Sequence, residues 1–416
     1  MKAPSARGIF GITLAALTLA AMPKVPQPRL AAATIDAAHW PYLPGSVLPL
    51  RVEGISIPYH VGVLGPGGLD AGGHAYEIPA TATAGTALLV AGNAAGIGAR
   101  QLRIGGPPDA RRPLVLVASY DDGLIVHDAR DLSVIGLLAT GGVPSDVAVD
   151  ASGRVAVTDT QGSALTLLQL DPWSVGRVDG VVSADDVDID GTTHDVFVTD
   201  RDWNGTGALT RISASGDVTR VPTGDTAEGL AIDEHRGLVY VANTNDGTVA
   251  VVDARTMRLV RRFYAVARVF SLALSDDGSR LFAISNQSAD SPFARPGAAV
   301  AISLAGARTS VVARSAALAF PIGLALDSAS HTLFVSDEQL HEIDVLDART
   351  LRRKHDALPT CAIPWKLTLD GSGERLYVPC AGDNAVDVFD ARTLRRMRGA
   401  PFATGGYPLA IAVWRG

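Results

Sequence analysis

The sequence predicts an all-β protein built from one repeated unit of short strands. Glycine is abundant at 43 of 416 residues, hydrophobic residues reach 47%, and charged residues reach only 19%. Short runs of Val, Leu, Ile and Ala alternate with Gly, Asp, Asn and Ser, which is the pattern of strands and turns. Two further observations, a recurring Asp-Ala-Arg turn and a recurring apolar strand pattern, define the unit.

The Asp-Ala-Arg triplet follows an apolar run four times, at Asp128, Asp253, Asp347 and Asp390. The intervals between these aspartates are close to three, two and one copies of a unit of about 43 residues. This spacing predicts degenerate copies, and turn formers stand after apolar runs at the expected places: Asp171, Ser213 and Ser303. Asp and Ser serve alike, because a short side-chain oxygen accepts backbone N–H groups just ahead.

A second pattern has the same period and marks an inner strand. It occurs seven times, at 145–150, 185–190, 228–233, 270–275, 322–327, 365–370 and 408–413. A unit near this length with four short strands is typical of a β-propeller blade. The first unit (114–135) lacks an inner strand, and the last inner strand (408–413) has almost no chain after it. We therefore predict a seven-bladed propeller over 114–416, closed when the C-terminal strand completes the first blade.

Two segments carry a family resemblance. LVYVANTNDGTVAVVDARTM and RLYVPCAGDNAVDVFDARTL resemble YVTN-type β-propeller repeats, including lactonase-like members, over roughly 112–416. The resemblance implies the propeller fold. Similar repeats occur in surface proteins, lactonase-like proteins and quinoprotein-like propellers, so the resemblance alone implies no single activity.

The residues before the propeller do not share the repeat. Residues 1–33 read as an export signal, with Lys2 and Arg7 before an apolar stretch and cleavage near Ala20 or Ala21, or later at 30–33. Residues 34–106 predict a small immunoglobulin-like β-sandwich, and 107–113 a stiff linker. The alternative is an extension packed against the side of the propeller.

These features predict a periplasmic or secreted protein with no membrane span after signal removal. The formal charge of −7 is mild, and no basic stripe with interleaved aromatics is present. Nucleic acid is therefore not an expected partner.

Propeller geometry brings certain residues to one face, called here the mouth, where the inner strands begin and the second strands end. Its candidate binding residues are Asp146, Asp186, Glu228 and Lys366. A further ring of residues follows the second strands: Asp159, Asp200, Asn243, Asn286 and Asp337. We interpret this ring as a repeated turn device. Similarity to gluconolactonase or streptogramin-lyase propellers would instead place a divalent cation in the mouth, with Asp186, Glu228 and Asn243 as weak ligand candidates.

Aromatic residues on the mouth loops indicate recognition of a partner. The candidates are Trp203, Phe293 and Trp365. Aromatic side chains on loops above a rigid scaffold suit protein or glycan binding. The leading hypothesis is an exported, non-enzymatic binding or scaffold propeller with no catalytic residue and no cofactor. The alternative is a metal-dependent lactonase- or lyase-like enzyme that uses the acidic mouth.

The two cysteines predict a disulfide. Cys361 precedes the inner strand of the last full repeat, and Cys380 ends the second strand of the same repeat. Because these strands are antiparallel neighbours, their Cα atoms should lie within bridging distance.

Overall fold

The computed structural model contains β-strands and turns. It describes residues 29–32, 40–53, 60–71, 75–93, 96–161, 164–201, 206–287, 296–305 and 309–416. Every regular element in these ranges is a strand. No helix in this part of the chain is long and apolar enough to cross a membrane.

From residue 114 onward the described chain forms seven four-stranded antiparallel sheets, the blades. From the axis outward, blade 1 contains Pro408–Trp414, Leu114–Ser119, Gly123–Asp128 and Val134–Leu138. Blade 2 contains Val147–Val149, Arg154–Val157, Ala164–Gln169 and Ser174–Asp179. Blade 3 contains Ala184–Ile189, Val196–Asp200, Gly207–Ile212 and Val218–Gly224.

The remaining blades repeat this order. Blade 4 contains Ala227–Asp233, Leu238–Asn243, Thr248–Asp253 and Arg258–Tyr264. Blade 5 contains Val269–Leu274, Arg280–Ser285, Ala298–Ser303 and Ser310–Arg314. Blade 6 contains Pro321–Asp327, Thr332–Asp337, Glu342–Asp347 and Leu358–Pro359. Blade 7 contains Thr368–Leu369, Arg375–Cys380, Ala385–Asp390 and Phe402–Ala403.

The C-terminal strand closes the ring. Pro408–Trp414 pairs antiparallel with Leu114–Ser119, from Pro408 opposite Ser119 to Trp414 opposite Leu114. Innermost strands of consecutive blades contact one another in chain order, and the contacts continue from blade 7 to blade 1. The predicted all-β propeller fold is confirmed, and the first repeat receives its inner strand from the chain terminus.

Apolar side chains between the blades form the core. One cluster joins Leu165 of blade 2 to Val187 and Val196 of blade 3, and another joins Phe282 of blade 5 to Val335 of blade 6. Burying such a side chain contributes roughly 1.5–3 kcal/mol, but a single blade has no second surface to bury its faces against. Neighbouring blades therefore stabilise one another.

The recurring Asp-Ala-Arg turn has two structural roles. Within a blade, Asp390 Oδ1 accepts N–H groups from Arg392 at 3.1 Å and Thr393 at 2.6 Å. Between blades, the turn presents its alanine carbonyl to an arginine from elsewhere in the ring: Arg375 Nη1 of blade 7 donates to Ala129 O at 3.0 Å. The repeated motif thus links blades as well as reversing the chain.

The segment before the propeller has sheets of its own. One contains Arg29–Ala32, Val47–Glu53, Ala75–Glu77 and Gly68–Leu69, in that spatial order. The other contains His60–Leu64, Gly85–Asn93 and Gly96–Ile104. Arg29–Ala32 lies inside residues 1–33, where the export signal is predicted, and the signal and its cleavage position stay predictions. The immunoglobulin-like assignment and the boundary at 107–113 remain predictions.

This segment is also bonded to blade 1. Leu43 N donates to Leu137 O at 2.7 Å, Leu137 N to Pro41 O at 3.0 Å, and Val47 N to Ala139 O at 2.7 Å. Tyr42 and Leu48 share one buried cluster with residues of blades 1 and 7. The outer edge of blade 1 is therefore covered, which protects it from pairing with another chain.

A buried histidine makes the junction of blades 1 and 7 sensitive to acid. His127 is fully buried, with Nδ1 3.0 Å from Leu132 O and Nε2 2.9 Å from Thr404 Oγ1. Burial lowers its pKa from 6.5 to about 4. The unfolded chain takes up this proton at a higher pH than the native state, so the stability that His127 contributes above pH 6.5 is lost as the pH falls toward about 4.

Between pH 6.5 and about 4, the unfolding free energy of the wild type should fall because of His127. We expect this fall to be about 3 kcal/mol smaller in His127→Gln, since each pKa unit corresponds to about 1.4 kcal/mol. Urea denaturation across the window measures the decline. His235→Gln, at an exposed turn position, is the matched control and should retain the wild-type slope. Equal slopes for all three proteins would contradict the assignment.

Candidate functional site

The mouth is shaped by β-bulges at the start of the inner strands. In blade 3 the pairing shifts between Ala184 and Val187, and in blade 4 between Ala227 and Leu230. The same shift occurs in blades 5, 6 and 1. A bulge bends its strand and re-aims the extra side chain. Here the bulges carry acidic residues of blades 3 and 4 to the axis.

A lysine of blade 7 reaches across the axis to two aspartates on the opposite side. Lys366 Nζ lies 3.2 Å from Asp146 Oδ2 of blade 2 and 2.9 Å from Asp186 Oδ1 of blade 3. The exposed fractions of the three side chains are only 16%, 9% and 15%. This cross-axis cluster of Lys366, Asp146 and Asp186 forms the floor of the mouth.

The same two aspartates join each blade to the next. Asp146 Oδ2 accepts the backbone N–H of Val187 at 2.9 Å, and Asp186 Oδ2 accepts that of Leu230 at 2.8 Å. Each acceptor is therefore in the blade preceding its donor. The carboxylates satisfy amide groups that the bulges leave without ladder partners.

Burial and charge separate the pKa values of the cluster. Burial raises the pKa of Asp146 well above its ordinary value, and the attraction of Lys366 only partly opposes this. Burial acts likewise on Asp186, but Lys366 and a hydrogen bond from Asp146 outweigh it and lower the pKa of Asp186. Burial disfavours the charge on Lys366, yet Asp146 and Asp186 raise its pKa. Asp186 is therefore the stronger acid of the two, and Lys366 stays an ammonium group.

A second cationic group, Arg201, pairs with two neighbouring acids. Arg201 Nη2 lies 3.1 Å from Asp185 Oδ1 and 2.7 Å from Glu228 Oε1. The Thr244 hydroxyl donates to the other Glu228 oxygen. Burial raises the pKa of both acids, and Arg201 opposes the shift.

A cavity of about 600 Å³ opens above this floor. Its walls combine aromatic, neutral polar and charged side chains. The lining residues are Tyr120, Asp121, Ser145, Thr160, Gln161, Ser183, Asp185, Arg201, Phe270, Trp365, Lys366, Tyr407 and Leu409. A volume of this size suits one small ligand or the end of a larger one.

The structure brings some of the sequence candidates together and separates others. Asp146, Asp186 and Lys366 are in direct contact, and Glu228 lies in the adjacent Arg201 pair. Trp365 lines the cavity. Trp203 and Phe293 lie outside the described residues.

The residues after the second strands make local bonds. Asp159 Oδ1 accepts N–H groups from Val143 and Gln161, and Asp337 Oδ2 accepts those of Ala319 and Phe320. Asn243 Nδ2 donates to Thr223 O at 3.3 Å and Thr248 Oγ1 at 3.2 Å. These bonds match a turn and packing role.

The donor set of the mouth does not fit a divalent cation. The Asp186 and Glu228 oxygens are held by Lys366, Arg201, Thr244 and the Leu230 amide. An ion there would have to displace an ammonium or guanidinium group. Among the described residues, no three His, Cys, Asp or Glu side chains are grouped as a metal site requires.

Sequence reasoning missed the wall formed by blades 1 and 2. Tyr120 and Asp121 follow the second strand of blade 1, and Tyr120 N donates to Tyr407 O as Thr160 N donates to Val143 O in blade 2. Tyr407 directly precedes the inner strand, and Gln161 follows the second strand of blade 2. Their position in the repeat could have identified them, because aligning blade 1 with the other blades places Tyr120 and Asp121 at the mouth.

The predicted disulfide is present and lies beside the mouth. Cys361 and Cys380 are bonded, with Cα atoms 5.6 Å apart and a sequence separation of 19. Pro364 pairs with Cys380, and Trp365 N donates to Pro379 O at 2.9 Å. The bond therefore ties the segment that carries Trp365 and Lys366 to the second strand of blade 7.

Comparison with known proteins identifies the fold. No family model and no curated protein matches the sequence. Among solved structures, a functionally unknown protein from Desulfotomaculum acetoxidans is similar with a TM-score of 0.59 and 18% identity, covering 73% of this chain and 99% of that one.

Two further solved structures share the fold at lower identity. A putative 6-phosphogluconolactonase from Bacteroides fragilis is similar with a TM-score of 0.59 and 12% identity, over 73% of this chain and 98% of that one. A streptogramin B lyase is similar with a TM-score of 0.53 and 12% identity, over 65% and 86%. At these identities the similarity establishes a β-propeller fold and leaves the activity to be argued from the site.

Proposed function

We propose that this chain is an exported, non-enzymatic β-propeller of the YVTN-repeat type that binds a protein or glycan partner through its mouth. The observation that carries the proposal is the pairing of the mouth acids. Asp146, Asp186 and Glu228 are held by Lys366, Arg201 and backbone amides. Groups held in this way support the scaffold, and the cavity above them is the surface left for recognition.

The predicted export signal and the Cys361–Cys380 bond support a periplasmic or secreted location. Disulfides persist in oxidising compartments and are rare in the cytosol. A closed ring of blades stabilised further by a disulfide suits a binding protein that works outside the cell.

A photo-crosslinking amino acid at position 407 tests the binding role in the native host. Tyr407 lies at the mouth with 37% of its surface exposed, and Tyr264, on the outer strand of blade 4 with 66% exposed, is the matched control position. We expect a discrete adduct from position 407 and none from position 264. Adducts from position 264 alone would contradict recognition through the mouth.

The alternative function is a metal-dependent lactonase- or lyase-like enzyme. It is favoured only by the shared fold with the putative lactonase and the streptogramin lyase. In that case Asp186 and Glu228, with Asn243 as a weaker candidate, would supply the ligands of a divalent cation.

Divalent-cation titration separates the two functions. We expect Ca²⁺, Mg²⁺, Mn²⁺ and Zn²⁺ to leave the thermal midpoint of the wild type unchanged, because Lys366 already occupies the carboxylates. Lys366→Met frees Asp146 and Asp186 from their ammonium partner. The thermal midpoint of this variant should therefore rise when an ion that binds the native state is added. A saturable rise in the wild type that Asp186→Ala or Glu228→Ala abolishes would favour the enzyme.

A further inference from the structure

The mouth cavity has a floor of paired charges and a polar, aromatic wall. Lys366 is paired with Asp146 and Asp186, and Arg201 with Asp185 and Glu228. The wall comes from blade 1, blade 2 and the residue before the closing strand. A ligand that enters the cavity therefore meets the wall groups as its available partners.

Two tyrosines form one side of this wall. The rings of Tyr120 and Tyr407 lie edge to face, with centroids 6.0 Å apart and planes at 67°. Tyr120 N donates to Tyr407 O at 3.0 Å, and Tyr407 N donates to Asn384 Oδ1 at 2.9 Å. These bonds hold the backbone that carries both rings, and 37% of the Tyr407 surface stays exposed.

The backbone conformation of Tyr407 recurs at the same position of other blades. Its φ is 53°, and Ser183, before the inner strand of blade 3, has a φ of 49° and also lines the cavity. Thr226 and Arg268, before the inner strands of blades 4 and 5, share this left-handed conformation. The repeat therefore sets the backbone at Tyr407.

Hydrogen-bonding groups stand beside the tyrosines. Gln161 Nε2 donates to Tyr120 Oη at 2.6 Å, which leaves the Gln161 carbonyl oxygen as an acceptor. The Asp121 side chain is exposed, and within the described residues no ion pair holds it. Carboxylate and amide oxygens accept hydrogen bonds from hydroxyl groups.

The charge around Tyr407 discriminates against anions. Burial raises the pKa of the Tyr407 hydroxyl, and the carboxylates of Glu338 and Asp121 raise it further. An anionic ligand at this wall would meet the same repulsion. A ligand with many hydroxyl donors, no negative charge and an apolar C–H face fits the acceptor oxygens, the carboxylates and the aromatic ring of this wall.

We infer that the mouth cavity binds a neutral saccharide, with one sugar ring against Tyr407 and its hydroxyls on Asp121 and Gln161. The inference rests on the proposed binding function and names its ligand class. Aromatic rings supply flat apolar area to the C–H face of the sugar, and fixed oxygens orient its hydroxyl groups.

Isothermal titration of the full mature chain with neutral oligosaccharides tests this inference. The panel contains cello-, malto-, xylo-, manno- and N-acetylchito-oligosaccharides at millimolar concentration, with oligogalacturonate and glucosamine oligomers as anionic and cationic comparisons. We expect at least one neutral member to bind, no binding of the anionic sugar, and no preference for the cationic one.

Variants locate the binding. Tyr407→Ala and Asp121→Asn should each weaken binding by about tenfold or more. The matched controls Tyr264→Ala and Asp179→Asn lie on outer strands, where Tyr264 is 66% exposed and the Asp179 side chain 90%. Both should bind as the wild type does, and the circular dichroism and thermal midpoints of all four should show that they fold.

The outcomes distinguish the saccharide inference from the proposed binding function on which it rests. If no neutral saccharide binds while position 407 still crosslinks to a protein, the saccharide inference is overturned and the binding function stands. If only the cationic oligomer binds, the ligand class is an organic cation and the inference is wrong. If a saccharide binds with equal affinity to the Tyr407 and Asp121 variants, both the inference and recognition through the mouth fail.

Discussion

Ring closure is the constraint on which the whole structure depends. A four-stranded blade has two apolar faces and cannot bury either without a neighbour. Every blade therefore needs two others, and the first blade needs a strand from the far end of the chain. The pairing of Pro408–Trp414 with Leu114–Ser119 meets this requirement. Buried groups at the same junction, such as His127 and Thr404, add bonds between blades that adjoin only when the ring is closed.

Closure also explains the chemistry of the mouth. The ring brings inner strands of blades 2, 3 and 7 around one axis, so side chains remote in the sequence become neighbours. Lys366 then contacts Asp146 and Asp186. Acids that would look like metal ligands in isolation are held by a lysine, an arginine and backbone amides. Each buried charge has an ion-pair or hydrogen-bond partner within the protein, as buried ions generally must.

Much of the fold was predictable because its determinants are local and repeated. The Asp-Ala-Arg turns, the inner-strand pattern and the missing first strand are all visible in the sequence, and they lead to the propeller and its C-terminal closure. The disulfide was predictable for the same reason, since Cys361 precedes the inner strand of blade 7 and Cys380 ends the second strand of the same blade. The contacts of residues 41–47 with the edge of blade 1 were not predictable, because no repeat constrains that segment.

The site was predictable only in part. Position in the repeat identified Asp146, Asp186, Glu228 and Lys366 as mouth residues. Their pairing depends on which blades face each other across the axis and on bulges that re-aim single side chains, and neither is encoded by spacing. The cavity wall at Tyr120 and Tyr407 was missed because it belongs to the blade that the chain completes last.

The central claim is that the charges of the mouth floor serve to hold the blades together across the axis. A double-mutant cycle with Lys366→Met, Asp186→Asn and the combined variant measures this directly by urea denaturation. Removing one partner of the Lys366–Asp186 pair leaves the other without its counter-charge, whereas the combined variant removes both charges of that pair. We expect each single variant to lose about 3 kcal/mol or more and the pair to show a coupling energy above about 2 kcal/mol. Additive effects with a coupling energy near zero would contradict the account.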